Sequence, residues 1–383
     1  MVSAVRRGEG VRAVARHFGV TPGQVAFWCA RAAGRRLDRV DFADRSSRPQ
    51  HSPRRLTPPV EHAILQLRRT LRDDSVLGEY GAEAIRQAWP SGMEPCPSRA
   101  TVNRVLGRHG ALDGRWRQRH PPPPRGWHLP EVAAGHTELD TFDLIEELNL
   151  AHGPTVTVLT GTSLHGGCIS IWPEPAITTP TIVAHLLERW RESGLPGYAQ
   201  FDNDTRFQGA HQWPDTIGRV SRLCLALGIV PVFAPPREPG FQNLIENLNG
   251  LWQRKVWGRW RHPSLEALQQ RSRGYVVHHR QRSALRREHA PPRQPFPVGW
   301  SFNPQAHPRG RMIFLRRTDV AGRVKLLGRH WAVSQVWIHR LVRCEIDLTE
   351  HHAAFYALRR RDPDDQPLLS TVPYVRLPRR FLG

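Results

Sequence analysis

Three acidic residues, Asp140, Asp202 and Glu246, are far apart in the chain and are of the type that metal-dependent phosphoryl chemistry needs. Carboxylates are the hard oxygen ligands that Mg2+ or Mn2+ prefers. Two such ions about 3.5–4 Å apart can activate an attacking oxygen and stabilise a departing one in a phosphodiester exchange. The chain holds 34 acidic residues, so a trio at loose spacing arises by chance and placement on the right elements must decide. Asp143, three residues beyond Asp140, competes for the first position. No cysteine chemistry competes: Cys29, Cys96, Cys168, Cys224 and Cys344 form no C-x-x-C pair and have no histidines at zinc spacing.

The elements that must position these acids follow from the hydrophobic pattern. Thr137-Glu-Leu-Asp140-Thr-Phe-Asp143-Leu reads as a strand, and 155–160 and 168–172 as the next two, forming a three-strand meander. A helix is predicted over 179–190, with Ile182, Leu186, Leu187 and Trp190 inward; a fourth strand, 198–201, then ends at Asp202. A helix over 219–227, a fifth strand over 229–233 and a closing helix carrying Glu246 complete the series. This is the ribonuclease H-like order of an α/β core. It sets Asp140 mid-sheet, Asp202 at a strand end and Glu246 on the last helix.

Residues 1–113 read as all-α. Val11, Val14, Ala15 and Phe18 make one helical stripe, Gly19 follows as a left-handed turn residue, and Thr21-Pro22-Gly23-Gln24 forms a capping box opening a second helix. This is a helix-turn-helix pattern (1–50), with an ordinary helical hairpin as the alternative; Gln24, Phe27 and Arg31 are its candidate groove contacts. A second unit (51–113) carries the stripe Val60, Ile64, Leu67 and Leu71. Its Ser98-capped helix turns Arg99, Thr101, Asn103, Arg104 and Arg108 outward, side chains suited to phosphates and base edges. A basic, proline-rich linker is expected at 114–130, the core at 131–260, and a helical connector with a further proline-rich stretch at 261–308. A small β-barrel with a tail closes the chain at 309–383.

The 55 Lys and Arg residues against 34 Asp and Glu give a net charge of +21, which favours polyanions as partners. No apolar run approaches the ~18 residues that suggest a membrane span. The first residues lack the apolar stretch of a secretory signal, so a cytoplasmic, nucleoid-associated location without membrane attachment is expected.

Thr137-Glu-Leu-Asp140-Thr, Gln200-Phe-Asp202-Asn and Pro239-Gly-Phe-Gln-Asn-Leu-Ile-Glu246-Asn-Leu-Asn resemble the three motifs of the DDE transposase and retroviral integrase core. Tyr275-Val-Val-His278-His279-Arg280 is similar to the segment that often ends bacterial insertion-sequence transposases, and 311–358 resembles the small C-terminal barrel of Mu-type transposases. The resemblance implies a metal-dependent enzyme with two Mg2+ (or Mn2+) ions, Asp140 bridging both, Asp202 holding one and Glu246 the other. The match to Leu-Asp-Thr favours Asp140 over Asp143.

It further implies hydrolytic cutting at an element end, followed by attack of the freed 3′-hydroxyl on target DNA. Asn203, Asn243, Asn249, Arg254 and Lys255 are expected near the phosphates, with a homo-oligomer on double-stranded DNA and an ATP-using accessory protein as partners. Two departures stand out: Asp204 occupies a position usually held by glycine, and the Asp202–Glu246 interval is longer, with 208–215 as the extra loop. The alternative function is a catalytically inactive, transposase-derived, sequence-specific DNA-binding protein. An H-x-x-R run at His279-Arg280-Gln281-Arg282 with Tyr356 downstream resembles tyrosine recombinases. That chemistry belongs to an all-helical domain, whereas Tyr356 lies among strand-like runs.

Overall fold

The structure is a computed structural model that describes residues 1–43, 56–93, 95–113, 126–150, 153–209, 214–238, 240–360 and 362–375. Most of the expected linker at 114–130 lies outside these residues. The chain divides into two units, Met1–Glu61 and His62–Gly383.

The first unit contains α1 (Val2–Arg6), α2 (Val11–Phe18) and α3 (Pro22–Ala32). Gly19 ends α2 in the left-handed conformation, with φ 66°. The Thr21 side chain accepts from the Gln24 backbone N–H while the Gln24 side chain reaches back to Thr21, so the capping box forms as its sequence dictates. Ala4, Val14, Ala15 and Val25 make the small core.

In the second unit, α4 (Pro58–Asp74), α5 (Ala82–Gln87) and the Ser98-capped α6 (Arg99–Arg108) precede the short α7 (Pro130–Ala133). The meander follows: β1 (Leu139–Asn149), β2 (Thr155–Ser163) and β3 (Ile169–Glu174). Next come α8 (Thr179–Ser193), β4 (Tyr198–Phe201), α9 (Thr205–Gln208), α10 (Arg219–Ala226), β5 (Val230–Phe233) and α11 (Asn243–Trp252). The strands β1, β2 and β3 pair antiparallel, while β4 is parallel to both β1 and β5. The resulting spatial order β5-β4-β1-β2-β3 is that of a ribonuclease H-like core.

The sheet has two apolar faces, and successive β1 residues alternate between them. Phe142 packs with Trp190 and Leu186 of α8 and Leu223 of α10. Ile145 packs with Ile245, Leu248 and Trp252 of α11 and Leu268 of the later helix α12 (Leu265–Arg282). A side chain's parity on β1 therefore fixes which helices it meets.

After α13 (Ala284–Glu288) the structure departs from the expected separate barrel. The strand β6 (Arg311–Arg317) pairs parallel with β5, matching Val232 to Ile313 and Phe233 to Phe314. Beyond the hairpin of β7 (Arg323–Leu326) and β8 (Arg329–Ala332), the strands β9 (Leu341–Asp347), β10 (His352–Ala357) and β11 (Leu368–Pro373) continue the sheet. The sheet thus has nine strands in the order β11-β10-β9-β6-β5-β4-β1-β2-β3. Phe314, Trp331, Phe355 and Tyr374 belong to the same core as Phe142 and Trp190, so these strands cannot form an independent module. The expected C-terminal tail includes β11 and the buried Tyr374, whose hydroxyl donates to Asp215 at 3.2 Å. The supposed extra loop is therefore anchored at Asp215 by a salt bridge to Arg329 as well.

Candidate active site

Asp140 lies on the α8 face and is completely buried. Arg189 of α8 donates to both of its oxygens (3.0 and 3.1 Å), and Arg293 does the same (3.0 and 2.8 Å). Ser163 and the Trp190 indole add hydrogen bonds at 2.9 and 3.2 Å. Burial alone would push this carboxyl up, but the two guanidiniums hold it well below the usual carboxylate range. Three donors converge on each carboxylate oxygen, and the side chain itself has no exposed surface. The expectation that Asp140 ligates metal is therefore corrected: it is the anion of a buried ion-pair cluster joining β1, α8 and the segment after α13.

Asp143, of opposite parity, faces α11. Its Oδ2 accepts from Asn249 Nδ2 at 2.8 Å, and Thr160 of β2 donates to Asn249 Oδ1 at 2.7 Å, which fixes the amide's orientation. Burial, then the charges of Asp202 and Glu246, push the Asp143 carboxyl up to about 6. Asp202 is likewise raised, first by burial, with the Asp204 charge adding to it. Glu246, one turn before Asn249 on α11, is exposed. Asp143 thus feels the negative charge of both Asp202 and Glu246, and among the described residues none of the three makes a salt bridge.

Among the described residues, no three His, Cys, Asp or Glu side chains stand tightly enough together to enclose one ion. The donor set nonetheless fits a hard divalent cation: it offers oxygen ligands only, and unlike the buried Asp140 and Asp215 it makes no salt bridge to arginine among the described residues. Asp204 does not join this set. It caps α9 by accepting from the Arg206 backbone N–H at 2.8 Å, and its carboxylate pairs with the Arg206 side chain at 2.7 Å.

Supporting contacts from several elements fix the positions of the three acids. Asp202 sits one residue beyond β4 and accepts from the Asp204 N–H at 3.0 Å. Gln200, buried on β4, donates to the Phe241 carbonyl at 2.7 Å and bonds His128 at 2.9 Å, tying β4 to the turn that launches α11. Asn203 donates to the Ala234 carbonyl at 2.6 Å and accepts from Arg316 at 2.8 Å. Sequence reading missed Gln200, Thr160 and Arg316. The signal for Asp143 was present in the strand itself: residues three apart on a strand point to opposite faces, and only one face meets the helix bearing Glu246.

The expected nucleic-acid contacts divide. On α6, Arg99, Asn103, Arg104 and Arg108 are exposed as expected. On α3, Phe27 is exposed, but Gln24 is committed to its cap, and Arg31 stacks on Trp28 and donates to the Ala43 carbonyl at 2.8 Å. Beyond α11, Arg254 is exposed. Lys255 instead donates to the Gly78 carbonyl and lies over the Tyr80 ring, so it anchors the α4–α5 connection rather than facing solvent. His279 and Tyr356 sit on elements near opposite ends of the sheet, α12 against β3 and β10 beside β11, which removes the H-x-x-R reading.

No family model and no curated protein matches this chain. Among solved structures it is similar to the simian T-cell lymphotropic virus intasome in complex with PP2A regulatory subunit B56 gamma. That match has 14% identity and a TM-score of 0.34, covering 72% of this chain and 88% of that one. The catalytic core domain of BIV integrase matches at 17% identity and TM-score 0.27 over 37% of this chain and 82% of that one. The HTLV-2 integrase catalytic core domain in complex with magnesium matches at 13% identity and TM-score 0.25 over 32% and 70%. Similarity at this level establishes neither fold nor function, and the strand order stands on the sheet itself. Among the described residues no helix is long and apolar enough to cross a membrane.

Proposed function

We propose that the chain is a DDE-type DNA transposase or integrase in which Asp143, Asp202 and Glu246 hold divalent metal ions, Mg2+ or Mn2+. The observation that carries this reading is Asp143 on the α11 side of a ribonuclease H-like sheet, bonded to Asn249 of α11 and under the charges of Asp202 and Glu246, in a chain of net charge +21. Bound there, the metals supply Lewis-acid stabilisation of charge on the attacking and leaving oxygens of a phosphodiester. The protein's own part is positional. Thr160 and Asn249 aim the Asp143 carboxylate, and Gln200 fixes the start of α11 and hence Glu246. The exposed basic face of α6 and Arg254 suit a DNA backbone, and synapsis of two DNA ends calls for a homo-oligomer.

Incubation of the purified chain with duplexes carrying the DNA that flanks its gene, in Mg2+ or Mn2+, tests this. Wild type should nick or join ends, and Asp143→Asn, Asp202→Asn and Glu246→Gln should abolish both. Full activity in Asp143→Asn would refute the assignment, while wild-type DNA binding without cutting would leave the non-catalytic alternative in its place.

A further inference from the structure

At the C-terminal ends of β4 and β5, next to Asp202, lies a cavity of about 480 Å³ lined by Asn203, Gln208, Pro235, Arg316, Arg317 and Lys325, among others. Much of its charge comes from strands beyond the ribonuclease H-like core. Arg316 on β6 is nine-tenths buried, and its guanidinium donates only to neutral acceptors: the carbonyls of Ala234 (3.2 Å) and Leu315 (2.8 Å) and the Asn203 side chain. No carboxylate pairs with it among the described residues, and burial pushes it down to about 10. The other buried arginines among the described residues have carboxylates against them, Arg189 that of Asp140 and Arg343 that of Glu345. Arg317 pairs with Glu238 at 2.7 Å, and Arg360 approaches the same carboxylate at 3.3 Å, so the one acid on the cavity wall is already neutralised. Lys325, exposed on the β7–β8 hairpin, completes the wall without an ion pair among the described residues.

A buried cation without a counter-anion is costly, and such groups are normally paired with an anion. Among the described residues no such anion is present, and the open cavity beside Arg316 leaves room for one from a bound molecule. The cavity is large enough for a nucleotide unit, and its wall includes Asn203, the chain neighbour of Asp202. We infer that Arg316 and Lys325 grip a backbone phosphate of the DNA strand entering the site, one neighbouring the scissile phosphate, so that the C-terminal strands complete the substrate channel. The inference rests on the DNA-transferase reading. Through Asn203, Arg316 also couples an occupied cavity to the residue adjoining Asp202.

The test measures duplex binding by the full-length chain in EDTA across a salt series, so that metal ligation plays no part. The variants are Lys325→Gln, Arg316→Gln, Arg316→Lys and, as a control, Asp143→Asn. Lys325→Gln, being exposed, should keep the wild-type melting temperature, weaken affinity several-fold regardless of sequence, and lower the salt slope by about one. Arg316→Lys should bind better than Arg316→Gln, and Asp143→Asn should bind at least as well as wild type. Inorganic phosphate at matched ionic strength should compete no better than chloride. Unchanged affinity and slope in Lys325→Gln would overturn the inference, as would strong competition by inorganic phosphate, which would mark a free-anion site. Either result is separable from failure of the proposed function, which shows in cutting by Asp143→Asn rather than in binding.

Discussion

At the residue scale, the two aspartates of β1 have opposite electrostatic fates, and both are measurable. Asp140 neutralises the buried Arg189 and the partly buried Arg293, so Asp140→Asn should strand them and cost about 3–5 kcal/mol of stability. The folded-state carboxyl lies below its ordinary value of 3.8, so its stabilising contribution is fully present above that value and is lost as pH falls below it. The difference in stability between wild type and Asp140→Asn, followed by chemical denaturation, should therefore be constant from pH 7 to about 5 and shrink below about 4. A difference near zero at neutral pH would show that the cluster is not structural. The Leu-Asp-Thr match pointed to Asp140 because motif similarity does not distinguish the faces of a strand. Parity does: Asp140 shares the face of Phe142 with α8, whereas Asp143 shares that of Ile145 with α11.

At the element scale, the three-strand meander, the crossover helix and the closing helix were legible because each combines a clear hydrophobic period with a terminator: Thr178 capping α8, Gly228 before β5, Gly240 before α11. The C-terminal strands were legible as strands but not in their partner. Short alternating runs such as that of β6 state which residues face inward, and say nothing about whether the inward face completes its own barrel or an existing sheet. Here β5 presents a free edge, and β6 takes it, with Phe233 stacked on Phe314 at 5.1 Å between ring centroids. A chain ending at residue 308 should therefore expose that edge and lose half of a shared core. It should unfold without a cooperative transition or aggregate. Cooperative unfolding at the full-length melting temperature would instead show that β6–β11 are an appended module.

At the scale of the whole molecule, net charge +21 disposes the surface toward a polyanion, and three acids gathered without arginine partners stand against that background. Charge explains why composition points to a polyanionic partner. The site was only partly readable, because Asp202 and Glu246 lie on recognisable motifs whereas Asp143 is defined by what α11 brings over the sheet. Manganese binding to the full-length chain, followed through the EPR signal of free Mn2+, tests this arrangement most directly, with the melting temperature recorded alongside. Wild type should bind Mn2+, and Asp143→Asn should lose that binding while melting at or above the wild-type temperature, since mutual repulsion is relieved. Mn2+ binding of wild-type strength by a folded Asp143→Asn would contradict the account.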